Sequence, residues 1–150
     1  MIQLVTSILT LGAALGALLG GCFSDRCGRK PAILLSDILF ILGAVLLACA
    51  NSVGILVFGR IIIGLGVGMA ANVVPVYLSE TSPTPVRGRI ITMYQLLIVI
   101  GGFLSYLICY LLNRSWSVMF GMATIPALIQ GIGMLFMPES PRWYLKYNRD

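Results

Sequence analysis

The sequence has no histidine, and only 10% of its 150 residues are charged. The first absence removes the commonest general base, the commonest metal ligand and the one side chain that ordinarily titrates near neutral pH. The second argues against a water-soluble globule, because soluble domains carry about 25% charged residues. Acidic residues are scarcest, five Asp+Glu against ten Lys+Arg, for a net charge of +5. A nucleic-acid-binding module is excluded too, since the basic residues sit in short clusters between long apolar runs rather than along one stripe. The four cysteines, Cys22, Cys27, Cys49 and Cys109, include no CxxC pair. They read as small buried residues rather than a disulfide frame or a zinc site. With no nucleophile–base constellation an enzyme is not expected, and neither is a cofactor or metal.

What the chain does have is apolar sequence: 59% of residues are hydrophobic and the mean hydropathy is +0.99. A helix needs about 20 predominantly apolar residues to cross a bilayer. Five segments meet or approach that length: residues 1–23, 32–50, 54–78, 90–112 and 116–138. The second contains a single charge, Asp37, the third a single charge, Arg60, and the others none. The first lacks the basic flank and cleavage site of a signal peptide and reads as a span. The expected fold is therefore all-α, a polytopic transmembrane helix bundle in the lipid bilayer.

Positive charge orients such a bundle. One set of loops holds Arg26, Arg29, Lys30, Arg87, Arg89, Arg142, Lys146 and Arg149, and the other holds only Arg114. The first set should be cytosolic, which puts the amino terminus outside and the carboxy terminus inside. Asn113-Arg114-Ser115 is a formal glycosylation sequon in a very short outer loop, and it is expected to stay unmodified.

Glycines recur at helical spacing. Gly12, Gly16 and Gly20 share one face, and Gly64 and Gly68 repeat the pattern. Small residues let backbones approach closely in lipid. The run Gly64-Leu-Gly66-Val-Gly68 lies inside an apolar helix with no preceding strand, so it reads as packing and not as a dinucleotide loop. Pro75 and Pro126 fall inside spans, where each removes a backbone donor and invites a kink.

Three polar residues inside spans carry alternatives. Arg60 is either a snorkelling side chain or a cavity charge paired with an acid or a substrate group. Gln95 is either an interhelical hydrogen bond or a donor–acceptor fork for a polyhydroxylated ligand. Asp37 reads as solvated at the interface or paired with Arg29 or Lys30.

The loops narrow the reading. Residues 21–30, GCFSDRCGRK, follow the pattern Gly, three residues, Asp, Arg/Lys, any, Gly, Arg, Arg/Lys. This resembles the major facilitator signature between helices two and three, with Pro31 where a further basic residue is common. Gly59-Arg60, then Pro75-Val-Tyr77-Leu-Ser-Glu80, then Pro85-Val-Arg87-Gly88, and finally Pro138-Glu139-Ser140-Pro141-Arg142-Trp143 resemble the sugar porter branch of that superfamily. Order and spacing agree over nearly the whole chain. One departure is Ser117 after Trp116, where the family usually places Arg.

The resemblance implies a partial major facilitator fold. Residues 1–138 would be an N-terminal transmembrane half lacking its first helix, and residues 139–150 the start of a cytosolic linker. It implies transport of a monosaccharide or polyol by alternating access between two halves. Gln95 matches the helix-five glutamine that binds sugar hydroxyls, Ile98 a nearby apolar wall, Gly102 the next turn, and Gly16 a cavity-lining glycine of helix two. Arg60 matches a helix-four arginine that pairs with a helix-one acid in proton-coupled relatives, so uniport and proton symport both stay open. Asp25, Arg26, Arg29, Glu80, Arg87, Glu139 and Arg142 resemble the family's cytosolic lock between halves. The plasma membrane is the default address. The other reading is a truncated, transport-incompetent membrane protein that acts as an interaction partner or has no activity of its own.

Overall fold

The computed structural model describes the backbone of residues 2–50, 52–112 and 116–147, and side chains over 7–50, 52–110, 124–143 and 145. The sequon at 113–115 and the side chains of Trp116 and Ser117 lie outside the described residues. Six helices follow one another: α1 (Ile2–Cys27), α2 (Arg29–Ala48), α3 (Val53–Thr81), α4 (Arg87–Leu112), α5 (Trp116–Phe136) and the short α6 (Pro141–Tyr147). Four of them are long and apolar enough to cross a membrane, over Ser7–Cys27, Arg29–Ala48, Val53–Thr81 and Arg87–Tyr110. The stretch Thr124–Phe136 of α5 is a shorter apolar helix.

The breaks between helices have local causes. Gly28 stands at φ 107° and ψ 162°, a region that only glycine occupies readily, and it separates α1 from α2. Pro31 is the third residue of α2, where an N–H would lack an intrahelical acceptor in any case. The Ile55 N–H donates to Ser52 Oγ at 3.5 Å to cap the start of α3. At its far end the Ser82 N–H donates to the Leu78 carbonyl at 3.1 Å, and Pro83 prevents further helix.

α3 is the central helix, and its glycines divide between two neighbours. Gly64 and Gly68 face α1: a Cβ at Gly64 would lie 2.6 Å from the Leu9 carbonyl oxygen, and one at Gly68 would collide with the Ala13 backbone. From the other side, Gly12 lies against Ile61 and Gly64, Gly16 against the Leu65 backbone, and Gly20 against Met69. The two stripes thus pack on each other. Gly66 faces α2, where a Cβ would lie 2.9 Å from the Ser36 carbonyl oxygen, and Gly43 of α2 returns the contact near Ile63 and Gly59. A glycine at every second position of 64–68 serves two interfaces because the helix turns 100° per residue.

Apolar side chains fill what the glycines leave. Ala32, Ile33, Val73, Tyr77 and Met134 form a core between α2, α3 and α5. Ala44, Leu47 and Ile63 form a second core nearer the opposite end. α4 has no such burial: Leu97, Val99, Phe103 and Tyr106 are all more than 60% exposed.

The cysteines differ from expectation. Cys22, Cys27, Cys49 and Cys109 are free and exposed in the chain, on outward helix faces rather than in the core. Apolar sequence on every side of a membrane helix leaves no periodicity to separate a packed face from an outer one. Among the described residues no group of His, Cys, Asp or Glu could hold a metal ion.

Candidate functional site

Three charged blocks that are far apart in sequence meet at one end of the bundle, where α1 gives way to α2. Arg29 is the hub. Its Nη1 donates to Asp25 Oδ1 at 2.7 Å and to the Ser24 carbonyl at 2.9 Å. Its Nε and Nη2 donate to Glu80 Oε2 and Oε1, each at 3.3 Å, in a two-pronged fork. Ser140 Oγ completes the shell by donating to Glu80 Oε2 at 2.5 Å. The Arg29 and Glu80 side chains are only 15% and 11% exposed, whereas Asp25 is 65% exposed. The Arg29–Glu80 pair is therefore the energetically important one, because exposed pairs are weakened by water and salt.

A second exchange ties α5 to α2. Glu139 Oε1 accepts from the backbone N–H groups of Arg29 and Lys30 at 2.9 Å each, and from Ser140 N–H at 3.0 Å. These are the orphan donors at the start of α2, and a carboxylate there is further favoured by the helix dipole. In return Lys30 Nζ donates to the Leu135 carbonyl at 2.9 Å, a cation at the end of α5. Tyr77 Oη donates to the Pro138 carbonyl at 2.7 Å and holds the same end against α3. Gly28 is needed here for space as well as for conformation, since a Cβ would lie 2.8 Å from Glu139 Oε2.

Of the residues expected in a cytosolic lock, Asp25, Arg29, Glu80 and Glu139 join this network. Arg142 lines a small cavity with Asp25, Arg29, Glu80 and Trp143. Arg26 and Arg87 form no ion pair among the described residues, and the Arg87 Nε is buried without a hydrogen-bond partner. Ser140, Tyr77 and the Ser24 carbonyl are members that charge-based reasoning passed over, and Lys30, counted there only among the orienting charges and as a candidate partner of Asp37, joins through the Leu135 carbonyl. Ser140 and Tyr77 do stand inside the sequence blocks that mark this end, which was the available signal.

The residues expected to meet a sugar are placed differently. Gln95, Ile98 and Gly102 line one face of α4 at helical spacing and are exposed, and nothing lies within 4 Å of a Cβ built on Gly102. Gly16, expected beside the cavity, is buried where the Leu65 backbone occupies the space of its absent side chain. Arg60 is half-buried on α3, next to Gly59, which packs on Leu47. Asp37 departs most from expectation. It is 7% exposed and pairs with neither Arg29 nor Lys30, both of which are held elsewhere.

Comparison with known proteins decides the family. The profile of the family described as "Sugar (and other) transporter" matches residues 1–150. The chain belongs to the sugar transporter family. It is 43% identical over 149 residues to the glucose transporter GlcP of Staphylococcus epidermidis, covering 98% of this chain and 33% of that protein. It is 43% identical over 148 residues to the human proton myo-inositol cotransporter, covering 96% of this chain and 23% of that protein. The structure matches an inward-open xylose transporter, XylE from E. coli, with a TM-score of 0.87 and 30% identity over 95% of this chain and 38% of that one. The chain thus spans about a quarter to a third of the length of the curated relatives it matches. It is an integral membrane protein with part of the major facilitator fold.

Proposed function

We propose that this chain works within a carrier that moves a monosaccharide or polyol across a membrane by alternating access. The observation that carries the reading is the joining of three family blocks at one bundle end through Arg29, Glu80, Glu139 and Ser140. All five expected spans serve as one N-terminal unit, with the charged end cytosolic on the positive-inside argument. Because these charges are satisfied within the unit, the network makes its end a rigid plate. Arg26, Arg87 and Arg142 at its margin are the groups left to pair with an opposing half. Rigid-body rocking needs such a plate, since a soft end would absorb the motion instead of transmitting it.

The substrate face is Gln95, Ile98 and Gly102 on α4, whose exposure supports contact with a ligand or an opposing half. Gln95 supplies both donors and an acceptor, which suits paired hydroxyls. Gly16 enters as the packing residue that sets α1 against α3. Arg60 is the coupling residue in this reading, and the relatives include both a glucose transporter and a proton cotransporter. The test is uptake of labelled glucose, xylose and myo-inositol into proteoliposomes holding the complete carrier that contains this chain, with and without an inward proton gradient. Saturable uptake of one of them supports the reading. No uptake of any, with a carrier shown to be folded, overturns it.

A further inference from the structure

The contact between α2 and α5 holds a polar group that neither the charged network nor the substrate face uses. Asp37 lies eight residues along α2 from Arg29, about 12 Å into the bundle at the rise of an α-helix. It is 7% exposed, and its Oδ2 is buried with no hydrogen-bond partner. α5 meets it with Gly131, where a Cβ would lie 3.7 Å from that oxygen.

Among the described residues no cation is paired with it. On α2 itself Arg29 is held by Asp25 and Glu80, and Lys30 by the Leu135 carbonyl. α5 has no charged residue from Trp116 to Phe136. On α3 the level of Asp37 is marked by Gly66, which lies against Ser36 and Phe40. Arg60 is six residues away along α3, about 9 Å towards the other end. Tyr77 is bonded to Pro138, and Glu80 belongs to the Arg29 fork. α1 touches α2 more lightly and brings Cys22, Cys27, Asp25 and Arg26, all exposed. The adjacent hydroxyl, Ser36 Oγ, is committed to the Ile33 carbonyl at 2.7 Å.

An ionised carboxylate withdrawn from water and left without a partner is far less favourable than the neutral acid. We propose that Asp37 is a proton-binding site set in the α2–α5 contact. It is loaded when α5 packs as it does here and emptied when α5 moves away and water reaches the carboxyl. Loading adds one proton from water to one carboxylate oxygen, and release is the reverse. α5 is suited to such movement, because Pro126 interrupts its backbone ladder and Gly131 presents no side chain to hold the contact. The site is separate from Arg60, and it rests on packing alone, so it stands or falls independently of any sugar.

Infrared spectroscopy of this chain in lipid vesicles at pH 7 reads the proton directly. A protonated-carboxyl band that moves on carbon-13 labelling of aspartate, and is lost in Asp37→Asn, is the expected result. The label keeps the test decisive should the variant fold poorly. The sequence has three aspartates; Asp25 is 65% exposed, and loss of the band in Asp37→Asn assigns it among the three. Absence of a label-sensitive protonated band in the parent chain overturns the proposal. Persistence of that band in a folded Asp37→Asn chain overturns it equally.

Discussion

α3 and α4 are similar in length, 29 and 26 residues, and both are strongly apolar, yet they occupy opposite situations. Every glycine of the 64–68 run on α3 lies against the backbone of a neighbour. Gly101 and Gly102 on α4 have nothing within 4 Å of a built Cβ. The same residue type therefore does different work. On α3 it lets three helices approach closely, and on α4 it leaves a recess on an open face. Polar residues follow the same division. Glu80 at the end of α3 is enclosed by Arg29 and Ser140, whereas Gln95 on α4 is exposed. Positions on α3 hold the unit together, and positions on α4 are available to something outside it.

The sharpest way to break this contrast is to fill a recess on each helix. Gly68→Leu forces a side chain into the Ala13 backbone, which cannot give way as a side chain would. Its expected cost is about 3 kcal/mol or more, the upper end for overpacking. Gly102→Leu meets open space and should stay within about 0.5 kcal/mol. Denaturant titration of the two variants in mild detergent checks this, and equal losses would refute the division. Glu80→Ala comes next. It leaves Arg29 largely enclosed and without its fork, at an expected cost of about 3 kcal/mol. Glu80→Gln keeps an acceptor for Ser140 and should lose less. Hydrogen exchange at the α3 terminus should rise more in the alanine variant. Gly28→Ala follows, at about 2 kcal/mol for backbone strain in a glycine-only region. The same variant should release the Glu139 cap, seen as faster exchange of the Arg29 and Lys30 amides.

Much of this was legible in the sequence, because the glycine stripes and the charged blocks are local patterns. Gly12, Gly16 and Gly20 announce a close approach by spacing alone, and Gly64 and Gly68 answer it. That the two stripes meet is a tertiary fact, as is the second direction served by Gly66. The blocks around Asp25–Lys30, Glu80 and Glu139–Arg142 marked the charged end. Their wiring was not legible, because Glu139 bonds to amides 110 and 109 residues away and no spacing rule encodes that. Within this unit Asp25, Arg29, Glu80 and Glu139 already have partners, which their resemblance to a lock between halves did not specify. Asp37 and the cysteines were misplaced for a shared reason. In an apolar helix a buried face and a lipid face have the same composition, so sequence periodicity loses the contrast it relies on in water.

The smallest expected effect on packing belongs to Gln95→Ala, and it separates holding from binding most cleanly. Gln95 is exposed on α4 and makes no interhelical hydrogen bond among the described residues. Its loss should change unfolding free energy by less than about 0.5 kcal/mol. If its amide meets sugar hydroxyls in the complete carrier, substrate affinity should fall by about tenfold, since about 1.4 kcal/mol corresponds to one decade in Kd. Equilibrium binding of the transported sugar, measured beside the unfolding transition of the same preparation, gives both quantities. Lost affinity with unchanged stability places Gln95 on the substrate face. Unchanged affinity removes it from that face and leaves α4 as a surface for helix contact alone. Lost stability would instead mean that α4 is held to the bundle through this side chain, and the contrast with α3 would narrow.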